Sequence, residues 1–434
     1  MMILLYILLL TLPFVDHGFF GREIAGLTIE KLIGAACLVS ALVYLPRRRE
    51  FPQVFATPQA KAFGLYVAIA VTSYCVTTET FNYKDFIGIF FSQFLFFIIV
   101  MILVDSRERL QNVVLAVIAS MGLVSLYLIR EWVANAPVYG FSYRPGWVAG
   151  DPNMFSASAL VVLPLMLHPE VMARRAWQRI AILGCLAVTL ISFLLAASRG
   201  GFLGLFCMFL VQCRRWSHRF IAIAVCVVII VCCLLAPSSP LDRLLKPSAS
   251  DIESSNIRLQ LWSVSGKIFK DHPVFGIGLF NFSKYMHRYL PPNVELDFVV
   301  PHNTFMEAAV ELGIVGLAVF LAVFGFSAIG LAGLRTAAAS IGDIYYATLT
   351  NALISGLVGF GVAAMFISAK HSKLFWFAVF LSACLPPLLA DAVRESQARE
   401  AQPEPVAVPI AQPEAGAAQE QSEPVRVGNW MMHN

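Results

Sequence analysis

The sequence predicts an all-α, polytopic membrane protein of about 12 transmembrane helices, with a long extracytoplasmic loop that itself contains helices. Three observations carry that prediction. The 434 residues are 58% hydrophobic and only 13% charged, against about 25% charged in soluble chains. Apolar runs of membrane-spanning length recur along the chain, since a bilayer core of ~30 Å takes about 20 residues of helix. The two long polar stretches, 237–302 and the C-terminal tail, stand apart from those runs.

On that ruler twelve spans are expected, at 2–15, 24–45, 61–79, 85–104, 111–130, 153–168, 178–197, 200–213, 219–236, 303–333, 344–369 and 373–390. The first, MMILLYILLLTLPFV, has no basic start and no small-x-small cleavage site, so it reads as a retained helix rather than a leader. Residues 1–236 then hold helices 1–9, 237–302 the outer loop, and 303–390 helices 10–12. Residues 391–434, rich in Ala, Gln, Glu and Pro, form a disordered cytoplasmic tail. No internal repeat is evident. The nine cysteines avoid the long polar segments and include no Cys-x-x-Cys, so neither a disulfide framework nor a zinc or redox site is expected.

Sidedness follows from Lys and Arg in the short loops. One alternate set carries thirteen: Arg47, Arg48, Arg49, Lys61, Arg107, Arg109, Arg174, Arg175, Arg179, Arg214, Arg215, Arg219 and Arg335. The other carries six: Arg22, Lys84, Arg144, Arg199, Lys370 and Lys373. The richer set is cytoplasmic, which puts both termini inside and the loop 237–302 outside. The net charge of +4 is too small to imply a nucleic-acid partner.

The outer loop contains a helical pattern, NIRLQLWSVSGKIFKDHP (256–273). Ile257, Leu261, Val264 and Ile268 recur at helical spacing, suited to packing on the membrane or over the bundle. HPVFGIGLFNF follows and reads as loop because of Pro273, Gly276 and Gly278. Arg258 shares the helix with Trp262, and Arg243, Lys246, Lys267 and Lys270 lie nearby. Guanidinium groups bind phosphate oxygens in a fixed fork, although a solvated helix face accounts for any one of these cations.

Three further stretches carry candidate chemistry. In AASRGGFLGL (196–205), Arg199 sits between two apolar runs with almost no loop around it. An arginine deep in a bilayer costs at least ~2.5–3.5 kcal/mol, so it belongs near the boundary or beside a partner. Ala196, Gly200 and Gly204 are spaced for close helix approach. In PGWVAGDPNMFSAS (145–158), Asp151 reads first as a helix cap, with Asp151 and Asn153 as polar-site candidates second. In PHNTFMEAAVELGIVG (301–316), Thr304 and Glu307 match a capping box. That leaves His302 and Asn303 unexplained. A histidine ahead of a helix N-terminus is held neutral by the dipole and can accept a proton, and the same helix end is an anion site.

Together, Ser-Arg-Gly-Gly after a transmembrane helix, a long outer loop, and Pro-His-Asn-Thr-Phe-x-Glu leading into Glu-Leu-Gly-Ile-x-Gly resemble the O-antigen ligase and polymerase superfamily of multi-pass bacterial glycosyltransferases. The resemblance implies an inner-membrane enzyme whose donor is a glycan on undecaprenyl pyrophosphate, presented at the periplasmic face among membrane lipids. It implies that Arg199 and Arg258 hold the pyrophosphate and that His302 activates the acceptor hydroxyl, in a metal-independent, inverting displacement with no cofactor. The first expectation is a ligase in lipopolysaccharide biosynthesis that moves the finished glycan to lipid A–core. Alternatives are an O-antigen or exopolysaccharide polymerase, whose acceptor is a growing glycan, and a protein-glycosylating branch. From a different class, a transporter or lipid flippase would show inverted repeats and polar groups near the midplane, whereas here the mid-span residues read as nearly all apolar.

Overall fold

A computed structural model describes residues 2–14, 23–24, 27–48, 51–76, 86–140, 143–146, 151–213, 249–291 and 300–400. Among these the chain is helical, apart from a two-residue antiparallel pair in which Glu23 faces Thr28 and Ile24 faces Leu27. The helices are α1 (Met2–Thr11), α2 (Ile29–Tyr44), α3 (Phe51–Phe55), α4 (Pro58–Val76), α5 (Ser92–Leu103), α6 (Arg107–Tyr139) and α7 (Pro152–Met166). They continue with α8 (Pro169–Met172), α9 (Ala176–Ala196), α10 (Arg199–Cys213), α11 (Ala249–Asp271), α12 (Phe282–Met286), α13 (Thr304–Ser340), α14 (Ile344–Ala363) and α15 (Lys373–Glu400).

Among the described residues, six helical stretches are long and apolar enough to cross a membrane: Ile29–Arg47, Arg107–Tyr139, Ala176–Ala196, Thr304–Ser340, Ile344–Phe366 and Lys373–Ala398. Met2–Phe14, Gly88–Leu103, Pro152–Met166 and Arg199–Cys213 are apolar but shorter. Helices therefore occupy eleven of the twelve expected positions; the ninth, 219–236, lies outside the described residues, as do Arg243, Lys246 and the tail beyond Glu400. The last helix runs ten residues past the expected span end at 390.

The helices differ in how much lipid they can face. Of Lys373–Ala398, 83% of the apolar window is buried, against 17% of Ile29–Arg47. A helix apolar all round belongs in the centre of a bundle, and α7 joins α15 there, with Phe155–Met166 buried along its length. The rim helices leave Val39, Val43, Trp177, Ile180 and Ile329 exposed. Between helices in lipid no hydrophobic force acts, so close packing must hold them. The small-residue series predicted at 196–204 supplies it: a Cβ on Gly204 would stand 2.5 Å from the Gly359 carbonyl of α14.

The expected single helix at 303–333 is instead two helices joined at a break. Gly313 has φ 68° and ψ −171°, a conformation open to glycine and costly for other residues. Segment 273–278 enters the break and satisfies the backbone groups it frees. Ile277 N–H donates to the Val310 carbonyl (3.1 Å), Gly278 N–H to the Glu311 carbonyl (2.9 Å), and Ile314 N–H to the Pro273 carbonyl (2.8 Å). Ser73 of α4 closes the junction, its hydroxyl 2.6 Å from the Phe275 carbonyl. A Cβ at residue 313 would lie 2.1 Å from the Val274 carbonyl oxygen.

α11 lies over the bundle, as its pattern allowed. Leu261, Val264 and Ile268 form a small second core with Ile277, Phe282, Tyr285, Met286 and Val310.

Candidate functional site: an arginine-lined cleft at one end of the bundle

The helix ends sort into two groups. At one end, Arg48 and Arg109 meet Asp105, Arg107 meets Asp343, and Arg174 meets Glu108. At the other end converge the N-termini of α7, α10 and α13 and the C-termini of α9 and α14. There a cleft enclosing roughly 450 Å³ of solvent-open space is lined by Arg144, Asn153, Arg199, Arg258, Ser198 and Ser254, with Phe366 and Ile367 as its apolar side. Among the described residues that line it are three guanidinium groups and no carboxylate.

Each lining residue is placed by a local device. Arg199 opens α10, with Ala197 just before it in the left-handed region (φ 46°). Ser198 accepts a hydrogen bond from Gly201 N–H at 3.2 Å, which fixes the turn. Asp151 caps α7, accepting from Asn153 N–H at 2.8 Å, as its first reading held. Asn153 turns its side chain to Arg144, whose guanidinium donates to Asn153 Oδ1 (3.1 Å) and to the Ala196 carbonyl (2.8 Å). Arg258 and Ser254 stand one turn apart on α11 and therefore share a face. Trp262, the next turn on that face, donates its indole N–H to the Pro301 carbonyl at 2.8 Å. That bond ties the arginine's helix to the residue before His302.

His302 is in the left-handed region (φ 51°), a conformation that costs a non-glycine residue roughly 1–3 kcal/mol. It is half-buried and is not one of the residues lining the cleft. Burial first, then the positive charge of Arg258, hold its pKa below the ordinary histidine value, while Asp151 and Glu307 act in the opposite direction. The imidazole is thus neutral near pH 7, as expected, with burial rather than the helix dipole as the leading cause.

The expected capping box at 304–307 does not form. Asn303 is the cap, its Oδ1 accepting from Phe305 and Met306 N–H at 3.1 Å each. Thr304 bridges across instead, donating to the Ile367 carbonyl (2.6 Å) and accepting from Ala369 N–H (2.9 Å). This fastens the first turn of α13 to the cleft wall. Glu307 points inward to Lys370 Nζ at 2.6 Å, and Glu311 pairs with the same ammonium. Lys370, expected in an outer loop, is 1% exposed. Burial opposes its charge, yet Glu307 and Glu311 raise its pKa above the usual lysine value.

This cluster also corrects the expectation of apolar spans. Trp376 donates to the Lys370 carbonyl at 2.7 Å, and Phe63, Tyr66 and Phe320 pack around the indole, closing the cluster to water. His371 stacks on Phe280 (centroids 4.5 Å apart); burial, then Lys370, keep it neutral. Lys373, also expected in an outer loop, pairs with Glu30.

The structure thus brings Arg199, Arg258 and Asn153 to one cleft. It sets His302 outside the cleft lining but within electrostatic reach of Arg258, and it assigns Asn303 and Asp151 to capping the helices that frame it. Arg144 was missed as a site residue because Tyr143-Arg144-Pro145 matches no motif; the surplus of an arginine on the arginine-poor side was its only signal. Among the described residues no group of three or more His, Cys, Asp or Glu side chains is placed to hold a metal ion.

Comparison with curated proteins gives no match. Residues 184–321 match the family model described as O-antigen ligase, a stretch that holds Arg199, Arg258, His302 and Asn303. That match supports the O-antigen ligase and polymerase family for this stretch of the chain.

Proposed function

We propose that the protein transfers a glycan from undecaprenyl pyrophosphate to a hydroxyl acceptor at the periplasmic face of the bacterial inner membrane, both termini being cytoplasmic and the chain crossing about twelve times. The observation that carries this reading is the cleft that Arg199 and Arg258 line together, with a neutral His302 within electrostatic reach of Arg258. A diphosphate needs fixed cations; a sugar hydroxyl needs a base whose pKa is near ambient pH.

In the proposed reaction the acceptor oxygen attacks the anomeric carbon as its proton passes to His302. The bond from that carbon to the diphosphate oxygen breaks, and the electron pair leaves with the diphosphate. Arg199 and Arg258 stabilise the charge that develops there, a contribution that often dominates catalysis. Attack opposite the leaving group inverts the anomeric centre. The guanidinium groups supply the positive charge, so the reading needs no divalent ion.

The favoured acceptor is lipid A–core, which makes the protein an O-antigen ligase of lipopolysaccharide biosynthesis; a polymerase acting on a growing glycan uses the same chemistry. Deleting the gene separates the two: long polymer accumulating on its lipid carrier means ligase, single repeats mean polymerase. The transfer reading itself is tested by His302→Ala and Arg199→Ala, each of which abolishes glycan ladders on a gel while the protein still inserts in the membrane. Full ladders in either variant reject the site.

A further inference from the structure

The left-handed φ of His302, 51°, is one that a non-glycine residue keeps only where its surroundings over-determine it. The chain after it is fastened by the Asn303 cap on α13 and by the bonds of Thr304 to the backbone of Ile367 and Ala369. The chain before it is held by Trp262, whose indole N–H donates to the Pro301 carbonyl at 2.8 Å. That carbonyl belongs to the rigid peptide plane shared by Pro301 and His302, the plane from which φ of His302 is measured. Pro301 is buried, where a carbonyl needs a partner. The support under the indole is firm. Leu261 and Val264, close to it on α11, pack in one small core with Val310 of α13, and Met306 packs against that core. α11 thus rests on the same half-helix whose first turn follows His302.

We infer that Trp262 is a positioning residue for the proposed transfer: its indole N–H holds the Pro301–His302 peptide plane and so sets the imidazole at a fixed place relative to Arg258, one turn away on the same helix. The inference rests on the proposed role of His302 as base. Arg258 and Trp262 are four residues apart and share a face of α11. One helix therefore carries a cation for the leaving group and places the base for the acceptor, which builds the spacing between them into a rigid element. A base acts within about 3 Å of the hydroxyl it deprotonates, and a misplacement of about 1 Å can cost on the order of 100-fold in rate. The effect of the indole belongs in kcat, because donor binding falls to the arginines. It also belongs in the pH profile. The charged groups that act on His302 are Arg258 of α11, Asp151 at the start of α7 and Glu307 of α13. Burial, the largest influence, lowers its pKa. An imidazole released from the left-handed conformation loses burial, so its pKa rises toward the ordinary value and the limb of the profile moves to higher pH.

The test uses the full chain in proteoliposomes, with undecaprenyl-pyrophosphate-linked glycan as donor and lipid A–core, or a second molecule of the donor, as acceptor. Two substitutions divide the indole between them. Trp262→Phe keeps a ring without the donor; Trp262→His keeps an N–H at the same place on a five-membered ring without the bulk. Trp262→Phe should lower kcat by about 3- to 10-fold, the range of one neutral hydrogen bond, leave the donor KM within about twofold, and shift the limb to higher pH. Trp262→His, measured above pH 7 where its own ring is neutral, should stay within about threefold of wild type. Wild-type kcat and an unmoved limb in Trp262→Phe would overturn the assignment. So would a loss of kcat with the limb unmoved, the pattern of packing alone, or a raised KM at wild-type kcat, the pattern of an effect through Arg258. If Trp262→Phe does not insert, Trp262→His decides: a kcat within about threefold of wild type upholds the role, and a larger loss overturns it. His302→Ala run in parallel separates the two layers. If it is inactive while Trp262→Phe is normal, only the positioning role fails; if it transfers glycan normally, the transfer reading itself fails.

Discussion

The two ends of this bundle use arginine in opposite ways. At the end where Arg48, Arg107, Arg109 and Arg174 lie, each meets a carboxylate: Asp105, Asp343 or Glu108. At the cleft end, Arg144, Arg199 and Arg258 line one solvent-open space, with no acid among its described lining residues. Two acids of that end, Glu307 and Glu311, are set deeper and surround Lys370. Paired charges pin helix ends together; cations gathered around one cleft raise the local potential and favour an anion. The same residue type, in the same chain, is structural in one place and a candidate for substrate binding in the other.

The comparison breaks most severely at Lys370. Replacing it with methionine leaves two carboxylates buried without their cation, a change that typically costs about 3–5 kcal/mol. Denaturation of the purified protein in detergent should show a loss of that size. Adding Glu307→Gln and Glu311→Gln to the methionine variant should recover part of it. A melting temperature unchanged by the single substitution would mean the cluster carries little of the fold.

Gly313→Ala is next. It forces alanine into the left-handed region, at roughly 1–3 kcal/mol, and pushes a Cβ against the Val274 carbonyl. The half-helix that carries Glu307 and is capped by Asn303 then shifts relative to the cleft. Stability and transfer should fall together; a fully active, fully stable variant would show that the break is incidental.

These two sites also mark where the sequence stopped being legible. Helix positions were readable because apolar length is a local property, and eleven of twelve expected stretches fall on helices. Arg199 stood out as a cation between two apolar runs and Asp151 as a cap before a proline, whereas Arg258 was one of several cations near its helix and was singled out only by the resemblance. The break at Gly313 was not, because apolar spacing continues unbroken on both sides of it. The lysine cluster was not, because Glu311 and Lys370 are separated by a whole helix and meet only in the fold. The capping error has a narrower cause. Asn303 and Thr304 are adjacent and both cap well, and the choice fell to Asn303 because Thr304 is drawn away by the 367–369 backbone.

A smaller effect sharpens the role of His302. Its pKa is held below 6.5, so transfer should rise with pH along a limb below that value and then level off. Asp151 raises that pKa, and Asn caps a helix as well as Asp does. Asp151→Asn should therefore move the limb to lower pH while leaving the fold intact. A limb that moves up, or none at all, would remove His302 from the role of base.

The smallest change belongs to the opposite end. The Arg107 side chain is 47% exposed against Asp343, and exposed pairs contribute only about 0.2–1 kcal/mol. Arg107→Gln should cost no more than that in thermal denaturation.

The most direct measurement sets the two ends side by side: glycan transfer by Arg199→Gln and by Arg107→Gln, in vesicles of one composition with donor and acceptor supplied. Neutralising the cleft arginine should slow transfer by about 100-fold or more, as loss of a transition-state donor does, while the paired arginine stays within about twofold of wild type. Equal losses in the two variants, or an active Arg199→Gln, would contradict the assignment of the cleft to glycan transfer.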